Sequence, residues 1–195
     1  MLASIHPLGE RARGQRFLFT AAAYTVGSMV GAAALGAMLG GIGHFVFGED
    51  GSTVRALTLA VCALVATAFD WSGARLGSWH RQVNEDWLAQ YRGWVYGFGF
   101  GLQLGLGVVT IVTTAAVYLA WVGALTAADP MMGALVGASF GLARAVPMVA
   151  NASLTTPAAV AERVLTLDGW DGRVRIVTAL GEAATACVAV IAAVR

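Results

Sequence analysis

The chain has 195 residues, 58% of them hydrophobic and only 12% charged, and its mean hydropathy is +0.72. A soluble domain carries about 25% charged residues, so this composition excludes an ordinary soluble domain and points to an all-α, polytopic membrane helix bundle. The net charge of +1 gives no basis for a nucleic-acid or polyacid partner, and the partner the composition implies is a lipid bilayer. All 12 basic residues are arginine, which together with abundant Ala, Gly and Val fits a GC-rich genome.

The opening MLASIHPLGERARGQR is a basic arm. It resembles the start of a signal peptide, but the apolar run Phe17–Phe47 far exceeds a signal core of about 7–15 residues. It reads as a retained first span. A bilayer crossing needs about 20 apolar residues, and four further segments qualify: Val54–Asp70, Gly93–Thr126, Met131–Ala150 and Arg175–Val194. The first and third spans are longer than a straight perpendicular helix requires, so they should tilt, kink or protrude. The short connectors GEDGST and AADP make hairpins of spans one and two and of spans three and four.

Between spans two and three, Leu76, Trp79, Val83, Trp87 and Tyr91 recur at three- and four-residue intervals in RLGSWHRQVNEDWLAQYRGW. That periodicity predicts an amphipathic helix lying in the membrane interface, with Trp71, Trp79, Trp87 and Trp94 at headgroup level; a partner-docking helix is the alternative. Between spans four and five, TTPAAVAERVLTLDG offers Thr156 as N-cap, Pro157 at the first helical position and Gly169 past the end. It predicts a second short interfacial helix.

Arginines set the orientation. Arg11, Arg13 and Arg16 lie in the arm, Arg75, Arg81 and Arg92 after span two, and Arg163, Arg173 and Arg175 after span four. The tight connectors hold Glu49, Asp50 and Asp129, with Arg55 nearby. Five spans place all three arginine-rich segments on one side, so the N-terminus is expected in the cytoplasm. A parallel repeat is also visible. AYTVGSMVGAA (Ala23–Ala33) is similar to VYGFGFGLQLG (Val95–Gly105), and SGARLG and GLARAV place Arg75 and Arg144 at comparable points of the two hairpins.

Glycine spacing is the strongest local signal. Gly97, Gly101 and Gly105 sit four apart in span three, Gly133, Gly137 and Gly141 do so in span four, and span one has Gly27–Gly31 and Gly36–Gly40. Such spacing makes a smooth groove through which backbones approach closely. In YGFGFGLQLGLG the glycines also permit unwinding, as in spans that line transport sites. Polar residues inside spans come next. Tyr24, Thr25, Ser28, Thr110, Thr113, Thr114 and Tyr118 are inexpensive, the threonines and serine bonding back to their own helix, whereas Gln103 needs an interior partner. His44 is expected at the outer end, facing water.

The charges within spans define the candidate polar centre: Arg144, Glu182, Asp70 and Gln103. Arg144 lies roughly 9 Å and Glu182 roughly 10 Å from the same membrane face at about 1.5 Å per residue. Their depths match, and each alone costs about 2.5–3.5 kcal/mol at a helix centre on insertion scales. An Arg144–Glu182 pair, joined by Asp70 at the inner end of span two, offsets much of that cost. Pro147 should break or kink span four one turn beyond Arg144. The pair either locks the bundle or gates an anion or a proton.

No paired-carboxylate catalytic cluster, phosphate loop or activated nucleophile is present, so no catalytic residue, enzyme activity, cofactor or metal is expected. Cys62 and Cys187 lie in apolar runs without CxxC spacing and read as small buried apolar residues.

The segment YGFGFGLQLGLGVVTIVTTAAVYLAWVGAL, followed by GALVGASFGLARAVP, resembles the transmembrane domain of the CcdA/DsbD-like family of cytochrome c biogenesis and thiol transport, within the LysE-type group of small bacterial membrane proteins. The resemblance covers spans three and four and lies in their glycine-rich texture. It implies a helical carrier bundle and, in the redox members, a cysteine beside prolines in each half. Cys62 in LAVCALV and Cys187 in TACVAVI have no proline near them, so no functional residue carries over. The expected function is a small transporter-like membrane protein with a buried Arg–Glu polar centre. The alternatives are a structural or assembly subunit of a larger membrane complex, with other membrane subunits as partners where a carrier would stand alone as a homo-oligomer, and a thiol-redox conduit, which needs Cys62 and Cys187 within about 7 Å between Cα atoms.

Overall fold

The computed structural model describes residues 5–48, 51–73, 87–107 and 114–194. Among these residues every regular element is a helix. The α-helices are α1 (Pro7–Ala12), α2 (Phe17–Phe47), α3 (Ser52–Ser72), α4 (Trp87–Gln90), α5 (Gly93–Gly105), α6 (Ala116–Thr126), α7 (Pro130–Ala150), α8 (Pro157–Asp168) and α9 (Asp171–Val194), and a 3₁₀ turn covers Asn151–Ser153. Four stretches are long and apolar enough to cross a bilayer: Phe17–Phe47, Ser52–Ser72, Pro130–Ser153 and Gly172–Val194. They correspond to the first, second, fourth and fifth spans read from the sequence.

The expected third span, Gly93–Thr126, is divided. α5 ends at Gly105 and α6 begins at Ala116, while residues 108–113 lie outside the described residues. At 1.5 Å per residue α5 is about 20 Å long and α6 about 16 Å, so neither alone matches a hydrocarbon core of about 30 Å. The stop is built by glycine. Gly107 adopts φ +67°, a left-handed conformation that side-chain-bearing residues reach only at about 1–2 kcal/mol. The N–H groups of Leu106 and Gly107 turn back to the carbonyls of Leu102 and Leu104, each at 3.1 Å.

Other ends follow the local chemistry. Asp129 Oδ1 accepts from the Met132 N–H at 2.7 Å and caps α7. Thr156 Oγ1 accepts from the Ala159 N–H at 3.2 Å, with Pro157 opening α8 and Gly169 following its last residue. The break expected at Pro147 does not occur there. α7 runs through Pro147 to Ala150 and then tightens into the 3₁₀ turn. Proline this close to a helix end removes the donor for the Ala143 carbonyl without stopping the helix. Of the expected interfacial segment, Leu76, Trp79 and Val83 lie outside the described residues, as do Arg75, Arg81, Thr110 and Thr113. Trp87 and Tyr91 are described, and Trp87 stacks on Phe100 with ring centroids 6.0 Å apart.

The chain divides into two compact units: Met1–Ala32, His80–Thr110 and Ser139–Trp170 form the first, and Ala33–Trp79, Ile111–Ala138 and Asp171–Arg195 the second. In the first unit the start of α2 packs on α5. A methyl group on Gly97 would lie 2.6 Å from the Thr20 carbonyl oxygen, and methyls on Gly101 and Gly105 would collide with the carbonyls of Tyr24 and Ser28. Gly27 and Gly31 return the contact against Phe98 and Leu102. Gly141 of α7 also meets the backbone of Ser28 and Met29, and Ser28 Oγ donates to the Gly141 carbonyl at 2.8 Å. The apolar core around these contacts is Tyr24, Tyr96, Phe100, Leu104, Ala145 and Met148.

In the second unit Gly36 and Gly40 on α2 lie against Gly133 and Gly137 on α7, close enough that a methyl at Gly36 or Gly133 would strike backbone. The larger contact is between α3 and α9. Ala60, Ala63, Ala66 and Asp70 are the buried residues of α3. Ala179, Glu182, Ala186 and Ala189 are those of α9. Both sets recur at three- and four-residue steps, the spacing of a single helix face. Two alanine stripes therefore carry this interface, each interrupted by one carboxylate.

Candidate functional site

The two interrupting carboxylates are the central feature of the second unit. Asp70 is 3% exposed and sits at the last turn of α3. Its Oδ1 and Oδ2 accept from the Ala115 N–H at 3.0 and 3.2 Å. Ala115 is the N-cap position of α6. A helix begins there with unsatisfied N–H groups and the positive end of its dipole, and Asp70 supplies the acceptor that Ala115 has no side chain to provide. Asp70 thus caps the second half of the divided span.

Glu182 is 2% exposed, and neither of its carboxylate oxygens has a hydrogen-bond partner among the described residues. It belongs to the α9 stripe facing the alanines of α3, and it interacts electrostatically with Asp70. Beyond Asp70, Arg175 Nη1 donates to the Gly73 carbonyl at 3.2 Å and closes this end of the helix pair. Thr185, one turn further along α9, uses its hydroxyl on the Gly181 carbonyl at 2.9 Å. It helps line an open apolar groove with Ala56, Leu59, Ala184 and Val188. A buried carboxylate with no donor is unusual, because an unmatched buried polar group costs about 1–3 kcal/mol and charge costs more.

The remaining polar-centre residues, Arg144 and Gln103, lie in the first unit. Arg144 and Glu182, expected as an ion pair, therefore fall in different units, and each has neighbours of its own. The Arg144 guanidinium lies 5.6 Å from the centroid of the Phe140 ring and interacts electrostatically with Tyr24. Gln103 is half-buried on α5. His44 is exposed near the end of α2. Cys62 is half-buried and Cys187 exposed, both as free thiols. Among the described residues no group of three or more His, Cys, Asp or Glu is placed to hold a metal ion.

A second carboxylate site was not anticipated. Glu10, on α1 in what reads as a basic arm, is 0% exposed. Tyr96 Oη lies 2.6 Å from both of its oxygens, Thr20 Oγ1 donates to Oε2 at 2.6 Å, and Arg13 Nη2 donates to Oε1 at 2.6 Å. Gln15 Oε1 accepts from the Gly93 N–H at 3.2 Å beside it. Burial works against the Arg13 charge, but the hydrogen bond and charge of Glu10 outweigh it and hold that guanidinium above its ordinary pKa. The cluster joins α1, the start of α2 and the start of α5. Glu10 is fully matched, which suits a lock; Glu182 is unmatched among the described residues, which suits a site.

The sequence signal for Glu10 was slight. His6, Pro7 and Glu10 mark a helix start, with His6 Nδ1 accepting from the Gly9 N–H at 3.2 Å. Nothing local indicates Tyr96, which is 86 residues away in sequence. Comparison with family models, with curated proteins and with solved structures finds no match for this chain.

Proposed function

We propose that the chain is a small transporter-like protein of the bacterial inner membrane, with its N-terminus in the cytoplasm and a polar centre at Glu182 and Asp70. One observation carries this reading: Glu182 lies inside an apolar helix of spanning length, with both oxygens buried and without a hydrogen-bond partner among the described residues. An ionisable residue is retained there against its cost when it meets something that moves through the protein. The divided third segment adds support, since interrupted helices with a charged group at a half-helix end are how many carriers build an intramembrane site.

The same observation weighs against a structural subunit. A partner chain approaching from outside cannot reach oxygens that the chain's own helices already cover. The resemblance to thiol carriers adds a helical carrier architecture to this reading but no residue.

The test is water access. In a chain with Cys62 and Cys187 replaced by Ala, single cysteines at Thr178 and Ala186 bracket Glu182 by one helical turn on each side. Reconstituted alone into vesicles, a carrier exposes at least one of them to a charged, membrane-impermeant thiol reagent. If both stay unreactive from both faces, and the native chain is recovered in fixed ratio with another membrane protein, the subunit reading replaces this one.

A further inference from the structure

We propose that Glu182 is a reversible proton-binding site and that the ion this protein carries or couples to is the proton. The inference rests on the carrier reading and gives its central site an occupant.

The argument is one of fit. Glu182 is the only carboxylate among the α9 residues Gly172–Val194, and it is held on a stripe of alanines. Both oxygens are sealed from solvent and lack a donor among the described residues. An occupant must therefore be small and must bring its own positive charge. Calcium and magnesium need about six or more oxygen ligands, and among the described residues no group of three His, Cys, Asp or Glu is placed to hold a metal ion. An organic cation needs a cavity at the carboxylate, whereas the open groove nearby is lined on α9 by Ala184, Thr185 and Val188 and not by Glu182. A proton needs neither ligands nor space.

The titratable side chain that bears on Glu182 from α3 is Asp70, which stands between it and the Arg175–Gly73 end of the helix pair. On α6, which packs against both α3 and α9, the titratable side chain is Tyr118. On α9 itself they are Asp171, Arg173 and Arg175 toward one end and Cys187 toward the other. Asp70 already has both oxygens on the Ala115 N–H, which fixes its place. On the opposite side an apolar groove lined by Ala184 and Thr185 lies within one turn of Glu182 along α9.

Infrared spectroscopy of the whole chain in lipid, titrated with pH, reads this directly and needs no access by a reagent. The expected result is a protonated-carboxyl C=O band that disappears reversibly as pH rises, is lost in Glu182→Gln, and returns at a shifted position in Glu182→Asp. Helical circular dichroism checks that each variant is folded. The proposal is overturned if no reversibly titrating band is lost in Glu182→Gln across the pH range where the chain stays helical. The two readings fail separately. A titrating Glu182 in a chain closed to thiol reagents removes the carrier, whereas a water-accessible centre with a non-titrating Glu182 removes the proton.

Discussion

Replacing Glu182 by methionine should stabilise the protein. Methionine keeps the unbranched stem and has the same helix propensity as glutamate, so the packing between the alanine stripes is largely retained. The change removes two buried oxygens that have no partner among the described residues. An unmatched buried polar group costs about 1–3 kcal/mol, and a roughly volume-conserving substitution costs less than about 1.5 kcal/mol. The net expectation is a gain of about 1 kcal/mol. Glu10→Met is the control, because it is equally buried yet fully bonded to Tyr96, Thr20 and Arg13. Removing it strands those partners, and the expected loss is about 3–5 kcal/mol. Reversible unfolding of each full chain in mixed detergent micelles, followed by circular dichroism, measures both. The opposite signs are the test: if Glu182→Met loses more than about 1 kcal/mol, the carboxyl holds the fold together and the reasoning fails.

Three further outcomes follow from the helix contacts. Gly101→Ala should lose about 1–3 kcal/mol, since its methyl would strike the Tyr24 carbonyl and lie 2.9 Å from the Ser28 nitrogen, both backbone; Gly181→Ala, with nothing within 4 Å, should gain up to about 1 kcal/mol, and equal effects in the same unfolding assay would refute the groove. Gly107→Ala should cost about 1–2 kcal/mol through its φ of +67°, with a neutral result showing that the turn does not need glycine. Asp70→Ala should cost about 1–2 kcal/mol by leaving the start of α6 uncapped, while Asp70→Asn should retain most of the cap; amide hydrogen exchange at Ala115 distinguishes the two, and protection surviving in Asp70→Ala would disprove the cap.

The sequence made most of the helices legible because their signals are local. The apolar runs, the Thr156–Pro157 start of α8 and the four-residue glycine spacing each need only a few neighbouring residues to be read. The division of the third span was half legible. Glycines at 105 and 107 allowed unwinding as easily as they allowed a groove, and periodicity cannot separate the two, because both need the missing side chain. What was not legible is pairing across distance. Depth arithmetic matched Arg144 with Glu182 because it knows only the rise along each helix and not which face turns where. The stripe Ala179, Glu182, Ala186, Ala189 fixes that face, and its partner is α3, so Asp70 becomes the charged neighbour. Glu10 escaped notice for the same reason, since its meaning depends on Tyr96 far along the chain.

The contrast among the three buried carboxylates sharpens the functional reading. Glu10, Asp70 and Glu182 are all at most 3% exposed, so burial alone does not distinguish a structural acid from a working one. Their partners do. Glu10 accepts from a tyrosine, a threonine and an arginine, and Asp70 accepts from a helix N-terminus. Both are fixed by bonds that a change of protonation would weaken, so both serve the fold best by not changing. Glu182 has no such bonds to lose. Gaining or losing a proton there disturbs no hydrogen bond among the described residues, and only its electrostatic interaction with Asp70 responds. Cyclic protonation requires an acid whose state can change without unlocking the bundle, and of the three only Glu182 meets that requirement.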